Sequence, residues 1–215
     1  MAKYISPSKM ETITQNILSD YGIDIGEQSS PFSIPIEEII EFHFDLTILW
    51  ENIDHLNKDE TVMAAIFPTE KMIVMNESQK DLFETVIGTR NFTFAHELGH
   101  WVLHATDESQ LILDLFSNKK VFYCRSKSKK PPEEFQADMF AGCILMPKPI
   151  VVSAISKIKE TRNVIWADLY ELRDIFNVSI TALKIRLEQL NLIYFDGKDI
   201  YNSKEEASGQ LSFEL

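Results

Sequence analysis

Cations are in short supply in this 215-residue chain: 21 lysines and arginines stand against 33 aspartates and glutamates, a net charge of −12. A nonspecific grip on nucleic acid needs many cations facing phosphates, so direct nucleic-acid binding is not expected. Cysteine is scarcer still. Cys124 and Cys143 are the only two, too few for a disulfide framework, which points to a reducing cytoplasm. Long apolar runs are missing as well, since no stretch approaches the roughly 20 residues that span a bilayer. The opening "MAKYISPSKMETITQNILSDYG" has no apolar core of signal-peptide length. A cytoplasmic protein without membrane contact is the expectation.

What the chain does contain is an apolar content of 45% beside 25% charged residues, enough for a real core. The length suits one large domain, or a main domain with an appendage. Residues 8–21 carry apolar side chains near helical spacing and stop at Gly22. Pro35 opens a short helix, and a strand follows at 46–50. A loop at 53–60 leads to "TVMAAIFPTEKMIVMN", which reads as two strands around a Pro68 turn. That hairpin runs into the helix bearing "HELGH". Downstream, "EEFQADMFAGCILM" is a strong helical pattern closed before Pro147. From Pro149 the character changes to helix, turn, helix and a hairpin turning at Asp196-Gly197. The expected class is α+β, with a small mixed or antiparallel sheet packed on two helices and a helix-turn-helix-like C-terminal segment. Expected divisions are 1–148, 149–202 as a winged-helix-like subdomain, and 203–215 as a flexible tail.

The segment "RNFTFAHELGHWVLHA" holds three of the five histidines. His96 and His100 stand at i and i+4, so a helix puts both imidazoles on one side, spaced to share one zinc. Glu97 sits about 100° around the helix, where it need not ligate and can reach a water at the metal. Gly99 costs about 1 kcal/mol in a helix interior against alanine, which invites close approach by another backbone. His104 lies about 12 Å further along a straight helix axis, too far for the same ion; it reads as a support or a surface residue. His43 and His55 have no placement that favours them.

A third ligand is available in "PPEEFQADMFAG". Glu134 opens this helix and Asp138 is its i+4 neighbour on the same face. The carboxylate of Glu134 can ligate while Asp138 accepts the outer N–H of a ligating histidine and fixes its tautomer. The competing reading makes Glu133 and Glu134 ordinary first-turn acids, with Glu133 as the fallback ligand. Two histidines and a carboxylate leave one position open for water, and Glu97 is placed to act as general base. Tyr123, between the two motif helices, is a candidate oxyanion donor; a structural role is the alternative.

Together, "FTFAHELGHWVLH" and "EEFQADMFAGCILMP" resemble the paired signatures of the ImmA/IrrE family of zinc-dependent peptidases, over roughly residues 17–195. The resemblance implies a zincin-like fold of gluzincin type, with His96, His100 and Glu134 as ligands of Zn2+ (Mn2+ being the other ion accepted), Glu97 as base and Asp138 as the orienting acid. It also implies an anti-repressor protease of a bacterium, phage or mobile element that cleaves a helix-turn-helix repressor and so regulates transcription. Two departures stand out. The family's Arg-Phe-Thr lead-in appears as Arg90-Asn91-Phe92-Thr93, and Gly142-Cys143 replaces the usual Ala-Glu before Ile144. Neither touches a ligand position.

Rival readings are weaker. The segments 169–176 and 180–190 resemble a DNA-binding helix-turn-helix, but the second helix offers Lys184 and Arg186 against Glu188. A noncatalytic metal-dependent regulator that acts by binding a partner would leave Glu97 without a purpose.

Overall fold

The computed structural model describes residues 4–26, 30–58, 61–105, 122–123 (backbone only) and 131–209. Helix α1, Pro7–Asp20, starts where Ser6 accepts the Lys9 N–H (3.3 Å) and proline takes the first turn. It buries Met10, Thr14, Ile17 and Leu18. Helix α2, Ile36–Glu38, runs on into a π-helical turn, Ile39–His43. The strands follow as β1 (Thr47–Glu51), β2 (Ala64–Phe67) and β3 (Met72–Asn76).

The expected hairpin is present, with Ile66 opposite Ile73 in the antiparallel β2–β3 pair. Strand β1 lies parallel to β3 on its other side, Leu49 facing Val74. Strand β4, Phe122–Tyr123, joins β2 antiparallel. The order β1-β3-β2-β4 therefore makes a mixed sheet. Strand periodicity splits its side chains between two apolar layers. Ala64, Ile66, Ile73 and Met75 enter the main core, while Ala65 and Val74 meet Ile53 and Val62 beneath the other face.

Asn76 ends the sheet as a fully buried polar hub. Its Nδ2 donates to Val62 O and Asp54 Oδ1 (2.7 Å each), and its Oδ1 accepts the Ser78 N–H (3.1 Å). The hairpin does not run straight into the motif helix as expected. A short helix α3, Lys80–Thr85, intervenes and buries Phe83. Helix α4, Ile87–His100, then carries "HELGH" and passes into a π-helical turn, Trp101–Ala105.

The remaining described elements are α5 (Pro132–Leu145), α6 (Lys148–Lys159), α7 (Trp166–Phe176), α8 (Ile180–Gln189), the hairpin β5–β6 (Tyr194–Asp196, Asp199–Tyr201) and α9 (Lys204–Ala207). Helices α7 and α8 bury Leu169, Leu172, Phe176, Leu183 and Leu187, while Leu190 is half-buried. Asn177 takes the left-handed conformation (φ 51°) at the turn between them. One core cluster runs through the fold from Met10 to Ile193. Among the described residues no single helix is long and apolar enough to cross a membrane.

Candidate metal centre

The site is built where α4 and α5 pack along one another. Phe94, Ala95 and Leu98 are fully buried and seat α4 in the core. Gly99 explains itself here: a Cβ on it would lie 3.2 Å from Ala137 Cα and from Phe140 Cβ. The 1 kcal/mol that glycine costs the helix is repaid by letting the two backbones close. At the other end of α4, a Cβ on Gly88 would sit 2.5 Å from the Val178 carbonyl carbon. Asn91, the extra residue in the family lead-in, donates from Nδ2 to Asn177 O (3.2 Å). The N-terminal half of α4 is thus docked on the turn between α7 and α8.

His96, Glu97 and His100 are fully buried, and Glu134 is 8% exposed. The His96 Nε2 lies 3.0 Å from His100 Nε2 and 3.3 Å from Glu134 Oε2; His100 Nε2 lies 3.4 Å from Glu134 Oε1. Two bonds of about 2.0–2.1 Å at a tetrahedral angle hold their ligand atoms about 3.3 Å apart. The three donors therefore already stand at the edge lengths of a zinc tetrahedron, and His96, His100 and Glu134 can hold one ion. The donor set, two nitrogens and one oxygen, fits the chemistry of that ion.

Asp138 Oδ1 lies 3.0 Å from His96 Nδ1. A carboxylate only accepts, so Nδ1 carries the hydrogen and Nε2 of the neutral ring keeps its lone pair for the site. Electrostatics follow the same geometry. Burial works against a charged His96, but its hydrogen bonds to Asp138 and Glu134, with the Glu97 and Asp138 charges, outweigh it and raise its pKa to about 9. Burial dominates at His100 and pushes it down to about 4. At Glu134 burial is overcome by hydrogen bonds from His100 and His96, which hold the carboxyl well below the usual range.

Of the other candidates, Glu133 contributes its backbone rather than a ligand. Its carbonyl accepts from His104 Nε2 (3.3 Å), so His104 ties the end of the motif helix to the start of α5. The His104 ring lies 5.6 Å from that of His100, the ordinary spacing of i and i+4 neighbours, yet His104 is not in the ligand group. His43 and His55 are exposed and do not belong to it; His43 packs edge-on against Tyr21 and Phe44. The Tyr123 side chain lies outside the described residues, although its backbone pairs with Ala65. The roles of Asn91 and His104 escaped sequence reasoning, because each depends on a carbonyl supplied by a distant segment.

A family model described as the IrrE N-terminal-like domain, Peptidase_M78, matches residues 50–188. That span contains every residue of the centre. No curated protein matches the chain.

Proposed function

This chain belongs to the IrrE N-terminal-like family of metal-dependent peptidases, and on that premise we propose that it is a zinc endopeptidase making a site-specific cut in a helix-turn-helix transcriptional repressor. The observation that carries the reading is the convergence of His96 Nε2, His100 Nε2 and Glu134 at 3.0–3.4 Å, with Glu97 buried on the same helix. His96, His100 and Glu134 would hold the ion, and zinc is favoured over manganese on affinity. When bound, the ion supplies a Lewis acid that acidifies water and polarises a peptide carbonyl.

The chain's own residues do the rest. Asp138 keeps the His96 ring in its ligating tautomer. The Glu97 carboxylate takes a proton from the attacking water as the water oxygen bonds to the carbonyl carbon. It returns that proton to the amide nitrogen as the C–N bond breaks, giving a carboxylic acid and an amine, and transfer of the remaining acid proton leaves a carboxylate and an ammonium. Tyr123 is the proposed donor to the oxyanion. Residues 149–202 serve as scaffold and docking surface.

The test is intact-mass spectrometry of the helix-turn-helix regulator encoded beside the gene, incubated with the protein loaded with zinc and, separately, manganese. Glu97→Gln runs in parallel. One defined cut from the unmodified protein alone is the expected result. Equal cutting by Glu97→Gln would overturn the mechanism, and no cut by protein that retains its metal would overturn the choice of repressor.

A further inference from the structure

Behind Asp138, on the side of His96 away from the ligand atoms, a cleft of about 410 Å³ opens between α4, α5 and α8. This is the size of a site that takes side chains or small ligands. Its walls are apolar: Phe92 from α4, Phe135 and Met139 from α5, Ala182 and Ile185 from α8. Phe135 is 61% exposed and Ile185 50% exposed, among the most exposed large apolar residues described. Neither is needed where it stands for the core, and facing apolar walls around a cleft mark a binding groove.

The charge on these walls is lopsided. Asp138 presents a partly exposed carboxylate. The cation among the lining residues, Arg186, is 2% exposed and held by both oxygens of Glu11 (2.6 and 2.9 Å) and by Met146 O (3.0 Å). The chain as a whole carries −12. An occupant must therefore bring apolar side chains and positive charge together.

We propose that this groove is an exosite that receives a basic amphipathic segment of the protein substrate, its apolar face between Phe135 and Ile185 and a lysine or arginine toward Asp138. The inference rests on the peptidase reading above and names what that substrate offers away from the scissile bond. Two consequences follow from the position. The groove is one imidazole from the ligand atoms, so docking and cutting engage one continuous stretch of a folded partner. It also uses the outward face of α8, the helix that in a DNA-binding module would read bases; here that face presents Ile185 to a protein.

The test measures binding apart from cleavage. A fluorescein-labelled peptide of leucine and lysine at helical spacing is titrated into zinc-loaded Glu97→Gln protein and followed by anisotropy. A scrambled peptide of equal composition and a leucine–glutamate counterpart serve as probes of pattern and of charge. The amphipathic basic peptide should bind best, and Phe135→Ser with Ile185→Ser should weaken it by about fivefold or more. Both side chains are exposed, so circular dichroism and zinc content should not change. A benzophenone on the apolar face should cross-link at Phe92 or within 135–142 or 179–189.

Equal affinity in the double variant, cross-links elsewhere, equal binding of the three peptides, or no binding would overturn the exosite. So would a dimer in sedimentation that Ile185→Ser dissociates, since a second copy would then be the occupant. Glu97-dependent cutting by the unmodified protein, read separately, shows whether a negative result sinks the groove alone or the peptidase reading as well.

Discussion

Two helix pairs in this molecule carry sequence signatures of function, and they treat their charged residues in opposite ways. In the α4–α5 pair, His96, Glu97, His100 and Glu134 are buried, with the ligand atoms of His96, His100 and Glu134 turned toward one point. In the α7–α8 pair the cations are spent locally. Arg186 is locked to Glu11. Lys184 stands over Phe195 and Trp166 (4.7 and 5.5 Å), and Arg173 pairs with Asp174 while covering Tyr170. A buried polar cluster is expensive unless something compensates it, so its presence argues for a ligand. Cations already engaged within the fold make a poor phosphate-binding surface. The same helical grammar thus encodes a chemical centre in one place and a scaffold in the other.

The sharpest way to break the contrast is at Glu97. Glu97→Gln should lower cleavage by about 10²–10⁴-fold with zinc content unchanged by mass spectrometry; zinc loss instead would make Glu97 part of the ion's shell. The scaffold pair is tested through Glu11→Ala, which strands the 2%-exposed Arg186. Removing one partner of a buried pair costs about 3–5 kcal/mol, so the urea midpoint should fall steeply while zinc stoichiometry holds. A metal affinity that fell equally would show the two regions to be one unit.

Smaller effects refine the picture. Asp138→Ala should weaken zinc binding about 10–100-fold, read by competition with a chromophoric chelator. Because ion-free His96 holds a proton up to about 9 and must lose it to ligate, zinc affinity should rise about tenfold per pH unit toward that value and level off above it. A flat profile would mean that His96 is neutral in the ion-free protein. The smallest expected signal comes from a labelled duplex, which should show no steep salt-dependent binding. A strong salt slope abolished by Lys184→Ala would return α8 to the DNA-binding class.

Much of this was legible in the chain because helical spacing is local. The i, i+4 pairs His96/His100 and Glu134/Asp138 put their side chains on shared faces before any tertiary contact is known. The hairpin around Pro68 and the turn at Asn177 were legible for the same reason, since turn chemistry acts over a few residues. The short helix α3 was not, because Lys80–Thr85 buries only Phe83 and leaves little periodic signal. Strand order was closed to sequence reasoning too: nothing local says that β1 pairs with β3 rather than with β2. Phe135 looked like another apolar residue of a core helix, and only its surroundings reveal that it is 61% exposed.

By itself, then, the amino-acid order determined the α+β class, the two motif helices, the donor types and the surplus of negative charge. Those are consequences of periodicity and composition, which need no long-range information. Tertiary structure alone decided that it is α5 whose approach Gly99 admits, that the Nε2 atoms of His96 and His100 meet Glu134 at 3.3 and 3.4 Å, that His104 and Asn91 bind distant carbonyls, and that a groove opens behind Asp138. Each of these is a contact between segments far apart in sequence. Such contacts form only where packing of the whole core brings two backbones within reach, and no spacing within a single helix encodes that distance.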